Sequence, residues 1–495
     1  RRHRLAGVSS LSFWSTTVGT LVVLSWITKN VVAARHVSSS STATPSCGRR
    51  FLFGRDGSDT ESTTHIQGDP AIAAGLLLSR GRGFMGAAMV DYPPVVLFAG
   101  GIGRHGTVVD ASVDAYTFAP VTPGDRDNSG AAGSDGGDVH VERAVLTLGV
   151  ARTDIGAVAT TKALFFAGGC GMDNALGNRN TNTSQTQGGG GGSAAATGVR
   201  AGGGAVIAAD PDDMPLLLQN CQATDAVDVF ALAGAGGEGG ARGKQVGGAG
   251  GRAGGLPLVA SNGVVRLCEP KYAATTGVFF TGTADDGDPS SWSPTAHVLV
   301  AGGIIPTGDG GQYMATDTVD IFREDGFDDV TGEARITKLP VPRLPNPPRF
   351  EMTSCCFKHQ CVFAGGRFSM GQEGLGFNSD CVDVWDGATW SFATWGEHTL
   401  SEPRHHMGSA VIEIYTGTEK RIVGMFAGGI GNSGDSSMVD MFDFYERRVL
   451  PRMYAPTIRG AAQGVSLARE VAAFIGQTGR IDIFDGRALC WTSFE

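Results

Sequence analysis

Short apolar runs alternate with glycine-rich polar loops along this chain, and the clearest cycle is residues 421–444, RIVGMFAGGIGNSGDSSMVDMFDF. An apolar run, Val423 to Ala427, ends in Gly428-Gly429, and a short polar loop then leads to Val439-Asp440-Met441-Phe442. β-Branched and aromatic residues suit a pleated, half-buried surface. Glycine reaches backbone angles that other residues resist. The pattern therefore predicts strand, tight glycine turn, loop, strand.

The cycle repeats. Its first half recurs as LFAGG (97–101), FFAGG (165–169), LVAGG (299–303), VFAGG (362–366) and MFAGG (425–429), with a degenerate sixth copy, AFIGQ (473–477). Its second half follows each time, as Val113-Asp114, Val227-Asp228, Val319-Asp320, Val382-Asp383, Val439-Asp440 and Ile481-Asp482. A basic residue opens another short run before each turn: Arg82, Arg152, Lys271, Arg349, Arg404 and Arg459. The period is about 45 to 65 residues where no insertion intervenes, which is the range of propellers and arrays. Each copy holds three strand-like runs, and tryptophan-bearing stretches at 388–395 and 488–494 suggest a fourth. Four short strands per repeat with almost no helical periodicity predict β-propeller blades. Closing the blades into a ring protects strand edges that would otherwise template aggregation.

The double glycine after a hydrophobic strand resembles the signature of the kelch-repeat family, over roughly residues 76–495. The resemblance implies an all-β, kelch-type propeller of six blades. The segment VRAGGGAVIAA (199–209) leaves a seventh, broken blade open. The chain departs from the family pattern in repeating aspartate where that pattern has glutamate or a variable residue. Only Trp390 and Trp491 fit its late tryptophan.

Outside the repeats the composition changes. Residues 1–35 contain a long apolar stretch diluted by serine and threonine, which reads as a signal peptide, a single-pass anchor through residues 11–34, or an organellar transit peptide. The first two place the chain in the secretory pathway or on a membrane and the third in a mitochondrion or plastid; a segment that is none of these would leave the chain cytoplasmic. Residues 36–75 read as a polar linker, and low-complexity insertions are expected at about 122–140, 174–220 and 234–262. The stretch 234–255 has 12 glycines in 22 residues, a composition that behaves as flexible coil.

Charge narrows the partners. The formal net charge is −10, but residues 1–55 carry eight Arg or Lys and no acid, so the remainder stands at −18. An acidic body argues against nucleic acid, whose binding is driven by Lys and Arg. Nine cysteines without a CxxC do not form the framework of a small secreted domain, and most read as small buried side chains in a reducing compartment, with one or two disulfides left open.

Candidate chemistry is sparse. Two GxGxxG matches, 101–106 and 429–434, follow strands, but the next strand begins too soon for the helix that must hold a pyrophosphate. Cys355, Cys356, His359 and Cys361 cluster, yet neighbours on a strand point to opposite faces, so they do not converge on a metal. His405-His406 reads as a core or surface pair, with lining of the channel as the other reading. The sequence thus marks no metal site and no cofactor. The basic residues Arg82, Arg152, Lys271, Arg349, Arg404 and Arg459 have two readings: satisfying loop carbonyls of an adjacent blade, or forming a cationic ring at the channel mouth for an acidic ligand. The repeated aspartates read as acceptors for turn hydrogen bonds.

The functional expectation is a non-catalytic protein-interaction scaffold that takes a protein or peptide through variable loops on one face, since binding residues concentrate on loops held by a rigid frame. The loop candidates, each just after a glycine pair, are Arg104, His105, Arg367, Phe368, Asn432 and Ser433. The alternative is a propeller enzyme, a galactose-oxidase-like copper oxidase or a sugar epimerase. None of the seven tyrosines matches the copper family's ligand pattern.

Overall fold

The computed structural model describes residues 82–83, 86–91, 94–103, 109–120, 139–172, 221–232, 258–260, 265–282, 294–306, 313–328, 333–368, 376–393, 398–476 and 480–494. The N-terminal segment, the linker, the segment 199–209 that leaves a seventh blade open, and most of the three insertions lie outside these residues. Among them the chain is all-β and antiparallel. Six sheets of four or more strands follow one another, each a meander in chain order. The first sheet runs Gly86–Asp91, Pro94–Ala99, Ser112–Pro120 and Val139–Thr147. The first strands of the next five are Gly156–Ala159, Thr275–Thr281, Thr353–Phe357, Gly408–Thr416 and Gln463–Ala468. Each of these packs beside the first strand of the sheet before it.

The sheets pack face to face, and the core lies between them. One cluster joins Leu97 and Ala115 of the first sheet to Phe166 and Phe230 of the second. Another joins Phe165 and Val229 of the second to Val300 and Phe322 of the third. Phe165 and Phe166 fill different clusters because successive side chains on a strand point to opposite faces. The second strands are therefore buried on both sides: Ala163–Ala167 and Gln360–Ala364 are buried throughout.

The first strands touch through small residues. The Ser354 hydroxyl donates to the Thr276 carbonyl at 2.6 Å, and that of Thr276 donates to the Ala157 carbonyl at 3.0 Å. Ser409 donates to Ser354 at 2.9 Å and Ser466 to Val411 at 2.7 Å. A line of hydroxyl-to-carbonyl bonds thus ties the second to the sixth sheet.

The glycine pairs close a second joint. Both glycines of each pair have positive φ, from Gly100 and Gly101 to Gly428 and Gly429. The second amide of each pair donates to the loop entering the next sheet: Gly101 to the Arg152 carbonyl at 2.9 Å, Gly169 to Lys271 at 2.9 Å, Gly303 to Arg349 at 2.9 Å and Gly366 to Arg404 at 3.0 Å. A Cβ on Gly365 would stand 2.4 Å from the Arg404 carbonyl oxygen, so φ and space both require glycine there.

The basic side chain then anchors its own sheet. Arg152 pairs with Asp228 at 2.6 Å, Lys271 with Asp320 at 3.0 Å, Arg349 with Asp383, and Arg404 with Asp440 at 2.5 Å. All four basic side chains are fully buried. The same aspartates accept the amide three residues before the basic residue, from Gly149, Cys268, Asn346 and Ser401. Asp114 of the first sheet is equally buried, and the side chain of Arg82 lies outside the described residues.

Arg459 breaks the series. In the sixth repeat the carbonyl that receives the Gly429 amide, at 2.7 Å, is that of Gly460. Three residues before Gly460, the Thr457 amide donates to Asp482 at 2.8 Å. Gly460 therefore holds the place the arginine holds elsewhere, and Arg459 instead donates to the carbonyls of Ala455 and Ile458. Asp482 is satisfied without a cation, by the Thr457 and Ile458 amides and the hydroxyls of Thr457 and Ser493.

Two further expectations are refined. The stretches 388–395 and 488–494 do hold fourth strands, Ser391–Ala393 and Cys490–Phe494, but only the second carries its tryptophan in the strand. Trp491 faces Phe484 across the outer pair, but its counterpart is Phe392, which faces Trp385. Trp390 instead corresponds to Leu489, a turn residue with positive φ. Of the disulfides left open by the sequence, one is formed by Cys356 and Cys361 across the hairpin Thr353–Phe357/Gln360–Ala364. Cys268, Cys355 and Cys381 carry free thiols.

Candidate functional site

Each of the four buried basic residues is followed by one that bridges outward and then by one with positive φ. The bridging residues Thr153, Tyr272, Phe350 and His405 pair with Cys170, Ile304, Arg367 and Ile430, which lie just after the glycine pairs. The next residues, Asp154, Ala273, Glu351 and His406, all have φ between 50 and 54. Backbone bonds link this position from sheet to sheet: the Glu351 amide donates to the Ala273 carbonyl at 3.1 Å and that of Ala462 to His406 at 2.9 Å. Four sheets thus deliver Asp154, Tyr272, Glu351, His405 and His406 to one end of the first strands.

These side chains converge. His405 Nε2 lies 3.8 Å from Glu351 Oε2, and His406 Nε2 lies 3.7 Å from Glu351 Oε1. The three ligand-type atoms fall within 4.8 Å of one another. Arg367 reaches in from the ribbon after the glycine pair, its Nη1 3.8 Å from Glu351 Oε2, while its guanidinium lies over the Phe350 ring. The Glu351 side chain is only 5% exposed, and its Oε2 makes no hydrogen bond. The buried hydroxyl of Tyr272 makes none either.

Asn378 sets the orientation of His405. Its Nδ2 donates to the Ile430 carbonyl at 3.2 Å, which turns Oδ1 toward His405 Nδ1 at 2.7 Å. Nδ1 must therefore carry a hydrogen, and in the neutral ring the lone pair sits on Nε2, facing Glu351. Burial, with His406 and Arg367 adding to it, pushes the His405 pKa down to about 2, so the ring stays neutral. Asp154 moves the other way: burial and then repulsion from Glu351 push its carboxyl up to about 7. Burial, then Tyr313, Asp154 and Glu351, raise the Tyr272 hydroxyl well above the usual tyrosine range.

Of the loop residues singled out in the sequence, Arg367 enters this cluster. Phe368 pairs with Arg349 at the base of the same ribbon and is half-buried. Asn432 and Ser433 sit in an exposed turn between Ile430–Gly431 and Gly434–Asp435. That turn contains the second GxGxxG match, and strands flank it on both sides. Arg104 and His105 lie outside the described residues. Arg152, Lys271, Arg349 and Arg404 are spent on their aspartates and leave no surface for an acidic ligand. Cys355 points away from Cys356 into the core between the fourth and fifth sheets. Sequence reasoning passed over Glu351 and Asp154. Their signal was positional: two residues after the basic residue stand Asp154, Ala273, Glu351 and His406. Compared with protein-family models and with curated proteins, the chain matches none.

Proposed function

We propose that the six sheets are the blades of a kelch-type β-propeller and that the chain is a non-catalytic interaction module, taking a protein or peptide on the face that carries the ribbons after the glycine pairs. The observation that carries this reading is the contrast between frame and ribbons. The frame repeats one buried joint from sheet to sheet, whereas the ribbons at 304–315, 367–378 and 430–435 differ in sequence, and the last is half the length of the other two. Met314 and Phe377 stand exposed on two of them, 46% and 58%. Exposed apolar side chains on rigidly based loops suit partner binding.

The experiment compares the full chain with a variant carrying Met314→Ser, Phe377→Ser, Asn432→Ala and Ser433→Ala, after matched melting temperatures have been verified. A purified partner bound by the parent and at least tenfold more weakly by the variant supports the reading. Equal binding by both moves the interaction elsewhere on the molecule. The enzyme reading draws on the clustering of Asp154, Tyr272, Glu351 and His405, and fold alone does not choose between the two. Turnover of a sugar or alcohol substrate that is lost on Glu351→Gln would favour it.

A further inference from the structure

Glu351, His405 and His406 bring three ligand-type atoms within 4.8 Å of one another. Asn378 Oδ1 takes the Nδ1 side of His405 at 2.7 Å and leaves Nε2 turned toward Glu351 Oε2 at 3.8 Å. That carboxylate oxygen is buried and makes no hydrogen bond, and Arg367 stands 3.8 Å from it without making one. A buried carboxylate so placed is short of a partner, and two imidazoles lie beside it.

We propose that Glu351, His405 and His406 form a binding site for a divalent first-row transition-metal ion of the zinc type. Two imidazoles and one carboxylate select such an ion over magnesium or calcium, which prefer oxygen ligands. Zinc bonds of about 2.0–2.2 Å in tetrahedral geometry place ligand atoms about 3.4 Å apart. The observed carboxylate-to-imidazole separations of 3.7 and 3.8 Å lie close to that spacing, and all three atoms fall within 4.8 Å. Asn378 supplies the outer contact that fixes the ring and tautomer of His405, as metal-bound histidines commonly require. His406 is 37% exposed and gives the ion a route in. Three protein ligands leave a fourth position open. The backbone explains why these side chains meet: left-handed φ at both Glu351 and His406 turns them inward from adjacent sheets.

Arg367 is the competing cation. It approaches Glu351 Oε2 at 3.8 Å but is not hydrogen-bonded to it, and it donates instead to the Gly376 carbonyl at 3.4 Å. Removing it should favour the metal ion, whereas it would weaken a cluster that existed only as an ion-pair network.

The proposal goes beyond partner binding and is tested without a partner. The full chain, stripped with chelator, is titrated with zinc sulfate in a calorimeter and with cobalt(II) under absorption spectroscopy. The expected result is one ion per chain, d–d bands for cobalt, at least a tenfold loss of affinity on Glu351→Gln and on His406→Asn, and a severalfold gain on Arg367→Ala. Asn tolerates left-handed φ, so His406→Asn preserves the fold. Calorimetry showing no stoichiometric binding overturns the proposal, as does binding that Glu351→Gln and His406→Asn leave unchanged, or that Arg367→Ala weakens.

Discussion

The carbonyl of Arg404 receives the amide hydrogen of Gly366 at 3.0 Å, across the joint between the fourth and fifth sheets. This bond places the arginine backbone against the preceding glycine pair while its side chain reaches into its own sheet and pairs with Asp440. One residue thus fixes two sheets. The joint recurs at Arg152, Lys271 and Arg349, which explains why a basic residue stands before each of these runs.

Gly365 and Gly417 both have left-handed φ, 65 and 70, but only Gly365 meets neighbouring backbone when given a Cβ. Gly417→Ala should cost about 1–2 kcal/mol, the strain of the backbone alone. Gly365→Ala should cost clearly more, and Gly365→Val should abolish soluble expression. Urea denaturation of the two alanine variants checks this. Equal costs would mean that the Arg404 carbonyl does not set the requirement.

Asp154 gives a pH signature. Its folded pKa is about 7 against an ordinary value of 3.8. Between these values the folded chain holds a proton that the unfolded chain has lost, so stability falls as pH rises through this window and levels off above it. Asp154→Asn removes that penalty. With chelator present, the variant should melt above the parent at pH 8, and the gap should close toward pH 4. A gap independent of pH would contradict the assignment.

The Cys356–Cys361 disulfide closes a short hairpin. Its loss should cost no more than about 2 kcal/mol, because little loop entropy is at stake. Cys356→Ser with Cys361→Ser should therefore stay folded. Alkylation of the denatured, unreduced parent should spare these two residues and modify Cys355. Modification of Cys356 and Cys361 would show that the pair is not formed.

The glycine turns and the Val-Asp strands were legible in the sequence because both are local: a turn needs glycine where φ is positive, and a buried strand needs an apolar run. The repeated aspartates were read as turn acceptors, and they do accept loop amides. That each also holds a buried cation was not legible, since Arg404 and Asp440 are 36 residues apart. The sixth repeat misled for the same reason. Arg459 is the nearest basic residue, but register, which only pairing reveals, gives the position to Gly460. The fourth strand Val139–Thr147 was hidden because it follows a low-complexity stretch and is polar in alternation. The cluster at Glu351 was least legible of all: its members come from different sheets, and a left-handed backbone aims them.

The repeated basic residues serve the joint and not a ligand, and chemical denaturation of two isosteric variants tests that most directly. Asp440→Asn removes the nearer carboxylate from the buried guanidinium of Arg404, leaving Glu402 at 3.6 Å, and should cost about 3–5 kcal/mol. Asp482→Asn faces only neutral donors and should cost distinctly less. That ordering is the predicted result. Equal costs, or an Asp440→Asn variant within about 1 kcal/mol of the parent, far below the usual cost of breaking a buried pair, would contradict it.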